Sequence, residues 1–112
     1  MGIDDLSFHN GIIRQPMSRA QCAALLAELP GWRIETADHE MLAAAFEFAD
    51  FVEAMSFANR VGELAETLNH HPELTVAWGS VSVKWWTHTA RGITVNDIVL
   101  ARETAKLAVT RP

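Results

Sequence analysis

The chain has one cysteine, no tyrosine and four prolines in 112 residues. The single thiol, Cys22, excludes an intramolecular disulfide and a paired-cysteine metal site, and it suits a reducing compartment. Basic residues are scarce, nine Lys and Arg against fourteen Asp and Glu for a net charge of −5, which argues against a general nucleic-acid binder. No apolar run approaches the roughly 18 residues of a membrane span. Residues 1–16 lack the basic-then-apolar design of a secretion signal. What is present is apolar material for one core, 49% of the residues. Composition therefore points to a single cytoplasmic domain with neither nucleic acid nor membrane as partner.

Residues 1–16 show no clear period and carry two glycines and a proline. They read as a flexible leader, and Met17 could equally begin the chain, so one domain is expected over 17–112. Ser18 with Gln21 forms a capping box, flanked by Met17 and Cys22 in hydrophobic-staple positions. The helix that follows draws its apolar stripe from Ala24, Leu25 and Leu29 and stops at Pro30-Gly31. Trp32 to Thr36 and Glu40 to Phe48 read as strands around an Ala37-Asp38 turn. Leu42, Ala44, Phe46 and Phe48 share one face by period-two alternation.

Asp50 opens the longest helix, whose expected core face is Phe51, Met55, Ala58, Val61, Ala65 and Leu68. Leu74–Trp78 and Val81–Thr89 read as a hairpin joined by Gly79-Ser80, with Val81, Val83, Trp85 and Thr87 on one face. Thr94 and Asp97 form another capping box. It precedes a last helix over about 95–107, with Val95, Ile98, Ala101 and Ala105 toward the core. The order α-β-β-α-β-β-α predicts a two-layer α+β fold, a four-stranded antiparallel sheet with three helices on one face. The other sheet face, if it carried Trp or Phe, would favour self-association.

Three of the five histidines, His70, His71 and His88, fall within 19 residues. Imidazole is the one side chain whose ordinary pKa lies near neutrality, so the group is a candidate for proton transfer. Pro72 pushes His71 out of the α region and ends the helix before it. Glu66 lies four residues before His70, in reach to orient that imidazole if both are helical. A hairpin centred on Gly79-Ser80 returns His88 toward the pair. Spacing alone leaves other readings open: favourable charges at a helix end, or three imidazoles around zinc, although adjacent histidines rarely share one ion and HExxH is absent. Trp32, Trp78, Trp85 and Trp86 suit a core or an interface before a ligand platform.

The stretch LAETLNHHPELTVAWGSVSVKWWTHTARGITVNDIVLA, with FEFADFVEAMSFANRVGELAE and LLAELPGW ahead of it, resembles the pterin-4a-carbinolamine dehydratases. The resemblance spans roughly residues 18–108. It rests on a glutamate, three residues, HHP, then TH, then a glycine and an aspartate before the last helix. It implies dehydration of 4a-hydroxytetrahydropterin to quinonoid dihydropterin by histidine acid/base catalysis, without metal or cofactor. This recycles the pterin of aromatic amino acid hydroxylases. It also implies a homodimer or homotetramer. Carried over, the catalytic residues are His70, His71, His88 and the supporting Glu66, with Pro72, Thr87 and Trp32 as substrate-binding positions. Asn69 stands where some members have aspartate, and Trp85 and Trp86 where smaller residues are common. The alternative on the same fold is a protein-binding module, an assembly chaperone or a dimerisation cofactor.

Overall fold

Ser18 opens the first helix as its sequence dictates. The computed structural model describes residues 2–109, so the last three residues of the domain expected over 17–112 lie outside the described residues. The Ser18 hydroxyl accepts from Gln21 N at 3.1 Å, and the Gln21 side chain accepts from Ser18 N. Helix α1 spans Arg19–Leu26. Cys22 is buried beneath it and Leu29 beyond it, whereas Ala24 is exposed and takes no part in the stripe. Strands β1 (Arg33–Thr36) and β2 (Glu40–Glu47) follow, then α2 (Phe51–Leu68), β3 (Glu73–Ala77), β4 (Ser80–Trp85) and α3 (Val95–Val109). The strands form one antiparallel sheet in the order β1-β2-β4-β3. The two hairpins are thus joined through their second strands, an order that periodicity did not disclose.

Alternation sorts the sheet into two faces. Leu42, Ala44, Phe46, Phe48, Val81, Val83 and Trp85 face the helices and belong to the hydrophobic core. Trp85 is wholly buried, and its indole N–H donates to Thr104 Oγ1 of α3 at 3.1 Å. The opposite face carries charge. Lys84 Nζ lies 2.7 Å from Glu35 and 3.8 Å from Glu73, and Glu35 also bonds Arg33 at 2.9 Å. The Lys84 hydrogen bond holds the Glu35 carboxyl below its ordinary pKa. Ala43 stands opposite both Arg33 and Lys84, so Lys84 reaches over its small side chain toward β1. Within the strands this face carries no Trp or Phe, so the aromatic basis for self-association is absent there.

Helix α2 buries Ala58, Val61 and Ala65 as expected, but its first turns are rotated relative to the expected face. Its buried residues are Ala54, Phe57, Ala58, Val61 and Ala65, while Phe51 and Met55 are exposed. Phe57 packs against both Phe46 and Phe48, with ring centroids 5.0 Å apart in each case. One large aromatic seated between two strand aromatics outweighs the simple three-and-four count, which accommodated either face. The β3–β4 turn is Trp78-Gly79, one residue earlier than expected, since Ala77 pairs with Ser80. Gly79 is needed there because a Cβ would sit 3.1 Å from the Phe48 carbonyl.

Residues 2–16, read from sequence as a leader, have specific places. Ile3 is buried in the core, and Ile3–Asp5 form a short 3₁₀ turn. Arg102 donates to the carbonyls of Ile3 and Leu6, at 3.1 and 2.7 Å. Asn96 grips the His9 backbone twice, accepting from its N–H at 2.7 Å and donating to its carbonyl at 3.0 Å. This explains why α3 buries Asn96, Asp97, Val99 and Leu100 as well as Ile98 and Ala101, while Val95 and Ala105 are only half-buried. Its early turns are covered on the sheet side and on the N-terminal side. No helix among the described residues is long and apolar enough to cross a membrane.

Removing the Phe57 ring should lower unfolding stability by about 3–5 kcal/mol, as for a buried aromatic truncated to alanine. Phe51→Ala should cost less than about 1 kcal/mol, since that ring is half exposed. Urea unfolding of the two variants checks the rotation of α2: equal losses would return the buried face to Phe51.

Candidate active site

The end of α2 sets the site. Asn69 takes the left-handed conformation at φ 50°, with its N–H and that of His70 bonded back to Glu66 and Ala65. This is the turn that closes many helices, and it acts before Pro72 is reached. Neither imidazole is therefore helical, and the expected pairing of Glu66 with His70 does not form. His70 swings inward. Its Nε2 lies 2.8 Å from Asp97 Oδ1 and 3.0 Å from the Trp86 carbonyl. Both partners are acceptors, so Nε2 carries the proton and Nδ1 is left for other use. His71 turns back instead, and its Nε2 bonds Glu66 Oε2 in an exposed pair.

Asp97 is wholly buried. Burying a carboxylate is costly unless donors surround it. Here Thr94 N donates at 2.9 Å and the Thr87 hydroxyl at 2.7 Å to Oδ2, while His70 serves Oδ1. Of the capping box read from Thr94 and Asp97 one half forms, Thr94 N donating to Asp97 Oδ2, while Thr94 Oγ1 accepts from Asn96 N at 3.3 Å instead of Asp97 N; Asp97 uses its other oxygen to fix an imidazole.

Strand β4 ends at Trp85. Beyond it Thr87 pairs with Gly92 as an isolated bridge, enclosing a 3₁₀ turn over His88–Ala90 closed by Arg91 in the left-handed region. His88 is thus on a turn, not in a strand. Its carbonyl accepts from Arg91 N at 3.2 Å, while its imidazole has no hydrogen-bond partner among the described residues and rests on the Trp86 ring, centroids 5.2 Å apart.

His70, His71, His88 and Thr87 all line one cavity of about 630 Å³, a volume in the range of small-molecule sites. The hairpin does bring His88 to the pair. Other expected positions fall elsewhere. Glu66 and Pro72 line a neighbouring groove along α2 that shares His71 with the cavity. Trp32 is buried in the core, edge-on to Phe46 at 6.0 Å, and does not reach the cavity. Sequence reasoning did not place Phe8, His9 and Asn96 on the cavity, nor Asp97 behind His70. The aspartate before the last helix was the one visible signal, and it was absorbed by the capping box.

Cys22 is set apart from this chemistry. Burial, with the nearby charges of Glu40 and Asp97, pushes its thiol up to about 11, so it is a poor thiolate near neutrality. Among the described residues no group of three or more His, Cys, Asp or Glu side chains is arranged to hold a metal ion.

The cavity of this α+β domain is lined by four histidines, His9, His70, His71 and His88, with His70 fixed by a buried carboxylate, an arrangement that suits proton transfer. Residues 15–107 match the family model described as pterin 4 alpha carbinolamine dehydratase. A curated relative from Saccharophagus degradans, named "Putative pterin-4-alpha-carbinolamine dehydratase", is 45% identical over 84% of this chain and 82% of its own. One of the same name from Syntrophotalea carbinolica is 43% identical over 82% and 84%. The crystal structure of a transcriptional coactivator/pterin dehydratase from Brucella melitensis superposes with a TM-score of 0.77 at 32% identity, covering 84% of this chain and 99% of that one. A pterin dehydratase-like protein identified as a RuBisCO assembly factor in the α-carboxysome shares the fold at 20% identity, with a TM-score of 0.61 over 72% and 93%. The chain belongs to the pterin-4a-carbinolamine dehydratase family.

Three expectations follow. Asp97→Ala strips the acceptor from buried donors of Thr87, Thr94 and His70 and should cost about 3 kcal/mol or more. Glu66→Ala, at an exposed pair, should leave the denaturation midpoint nearly unchanged. The thiol of Cys22 should resist a disulfide reagent at pH 8 in the native protein and react once urea unfolds it; fast native reaction would contradict its burial.

Proposed function

We propose that this chain dehydrates 4a-hydroxytetrahydropterin, releasing water and quinonoid dihydropterin by imidazole acid/base catalysis. The observation that carries the reading is the convergence of His70, His71 and His88 on one cavity. The substrate has a hydroxyl on C4a and a hydrogen on N5. As the C4a–O bond breaks, an acid delivers a proton to the departing oxygen, which leaves as water. As the C4a–N5 double bond forms, a base takes the N5 proton. One proton is given and one received, so the imidazoles are reset by exchange between themselves or with solvent.

The environments divide the labour. His71 and His88 are exposed to water, which suits the acid/base pair. Glu66 bonds Nε2 of His71 and leaves Nδ1 of that ring for other use. His70 is held through Nε2, so its Nδ1 is a fixed hydrogen-bonding point for the heterocycle. Thr87 acts through Asp97, since its hydroxyl is committed there. A protein-binding module has no need of an imidazole fixed by a buried carboxylate beside two exposed ones.

The test is dehydration of substrate generated in place by a phenylalanine hydroxylase. Wild type should exceed the spontaneous rate, and His71→Ala and His88→Ala should each lose about a hundred- to ten-thousand-fold of turnover. Asp97→Asn should lower activity through misplacement of His70. A folded wild type that gives no acceleration would remove the dehydratase reading and bring the protein-binding one forward.

A further inference from the structure

The cavity has a wall that the family match does not include. Residues 8–13 supply six of its sixteen lining residues, and the match begins at residue 15. We infer that this N-terminal segment is part of the substrate site, with Phe8 and Ile12 giving the flat heterocycle an apolar surface to rest on. The inference rests on the dehydratase reading and names residues of the same site.

Three observations support it. First, the segment is built into the fold. Ile3 is buried, its N–H donates to Glu28, and Arg102 holds the carbonyls of Ile3 and Leu6. Asn96 grips the His9 backbone on both sides, and the Thr89 hydroxyl donates to the Ile13 carbonyl at 2.6 Å. At its far end Pro16 approaches Gly92 so closely that a Cβ there would lie 2.9 Å from the Pro16 Cβ. Gly92 thus leaves room for the segment, and Met17 N bonds the next carbonyl, of Ile93, at 2.7 Å.

Second, the anchors come from the elements that carry the site. Asn96 adjoins Asp97, Thr89 adjoins His88, and Gly92 pairs with Thr87. The wall and the imidazoles therefore share one frame, which keeps their spacing fixed.

Third, from His9 to Ile13 the anchors grip the main chain and leave the side chains free. The Phe8 ring meets His70 edge-on, with centroids 6.0 Å apart and planes at 88°. Ile12 is an apolar side chain left 66% exposed at the cavity. Clamping a backbone while leaving an aliphatic group in water gains little for stability, but it suits a surface that a bound ring would cover. A pterin ring has apolar faces and polar edges, so a wall of this kind complements imidazoles that address its edge.

Steady-state dehydration by wild type, Phe8→Ala, Ile12→Ala and the double variant tests this. Phe8 packs at the edge of the core and Ile12 is exposed, and circular dichroism should show the fold kept in each variant. Ile12→Ala, at an exposed position, carries the test even if Phe8→Ala is unstable. The double variant should raise KM about tenfold with kcat within threefold of wild type, the pattern of lost binding that is uniform along the reaction. The pH profile should keep its shape, because no proton-transfer group is touched. An unchanged KM in an active protein would overturn the inference and leave the dehydratase reading intact. A lower KM would overturn it too, by showing that the segment obstructs the cavity. Wild type without activity would overturn both.

Discussion

A carboxylate without water must be met by donors, and the burial of Asp97 imposes that condition on three parts of the chain at once. Thr94 at the start of α3, Thr87 at the exit of β4 and His70 at the exit of α2 all bond it. These segments all fall within residues 70–97, and the hairpin and helices alone would fix their mutual positions only to the tolerance of apolar packing. Hydrogen bonds are directional and short, so the carboxylate tightens that tolerance around His70 at the cavity. It also selects the tautomer of His70, which packing cannot do. The site is thus a by-product of satisfying one buried charge.

The second determinant is the crowding of α3. A helix with a solvent face would expose Asn96 and Val99, yet both are buried. The N-terminal segment supplies the missing cover. Its seating draws on polar side chains, Asn96 and Arg102, that meet main-chain groups. Hydrogen bonding of this kind leaves no periodic apolar trace in the segment itself.

That explains what could be read in advance. The order and type of the elements followed from capping residues and alternation, and the sheet faces were right because a period of two admits only two answers. The buried face of α2 was read correctly at Ala58, Val61 and Ala65 and misjudged in its first two turns, where Ala54 and Phe57 take the place of Phe51 and Met55, because several registers of apolar residues fit a helix rich in them. The three histidines could be brought together from spacing, since a two-residue turn forces strand ends to return. The partners of those histidines could not. A single left-handed residue, Asn69, reverses which imidazole meets Glu66, and nothing in a one-dimensional pattern announces that sign of φ. Trp32 illustrates the converse: a position carried over by likeness lies in the core, where its role is packing against Phe46.

The Asn96 and Arg102 anchors also have a kinetic meaning. They join residues 87 to 99 positions apart in the chain, whereas each hairpin joins neighbours. Closing a long loop costs more chain entropy than closing a short one, and its reward comes only when α3 already presents the anchors. Contact order thus places the local hairpins and α2 ahead of these contacts, and the closing of the cavity wall late in folding.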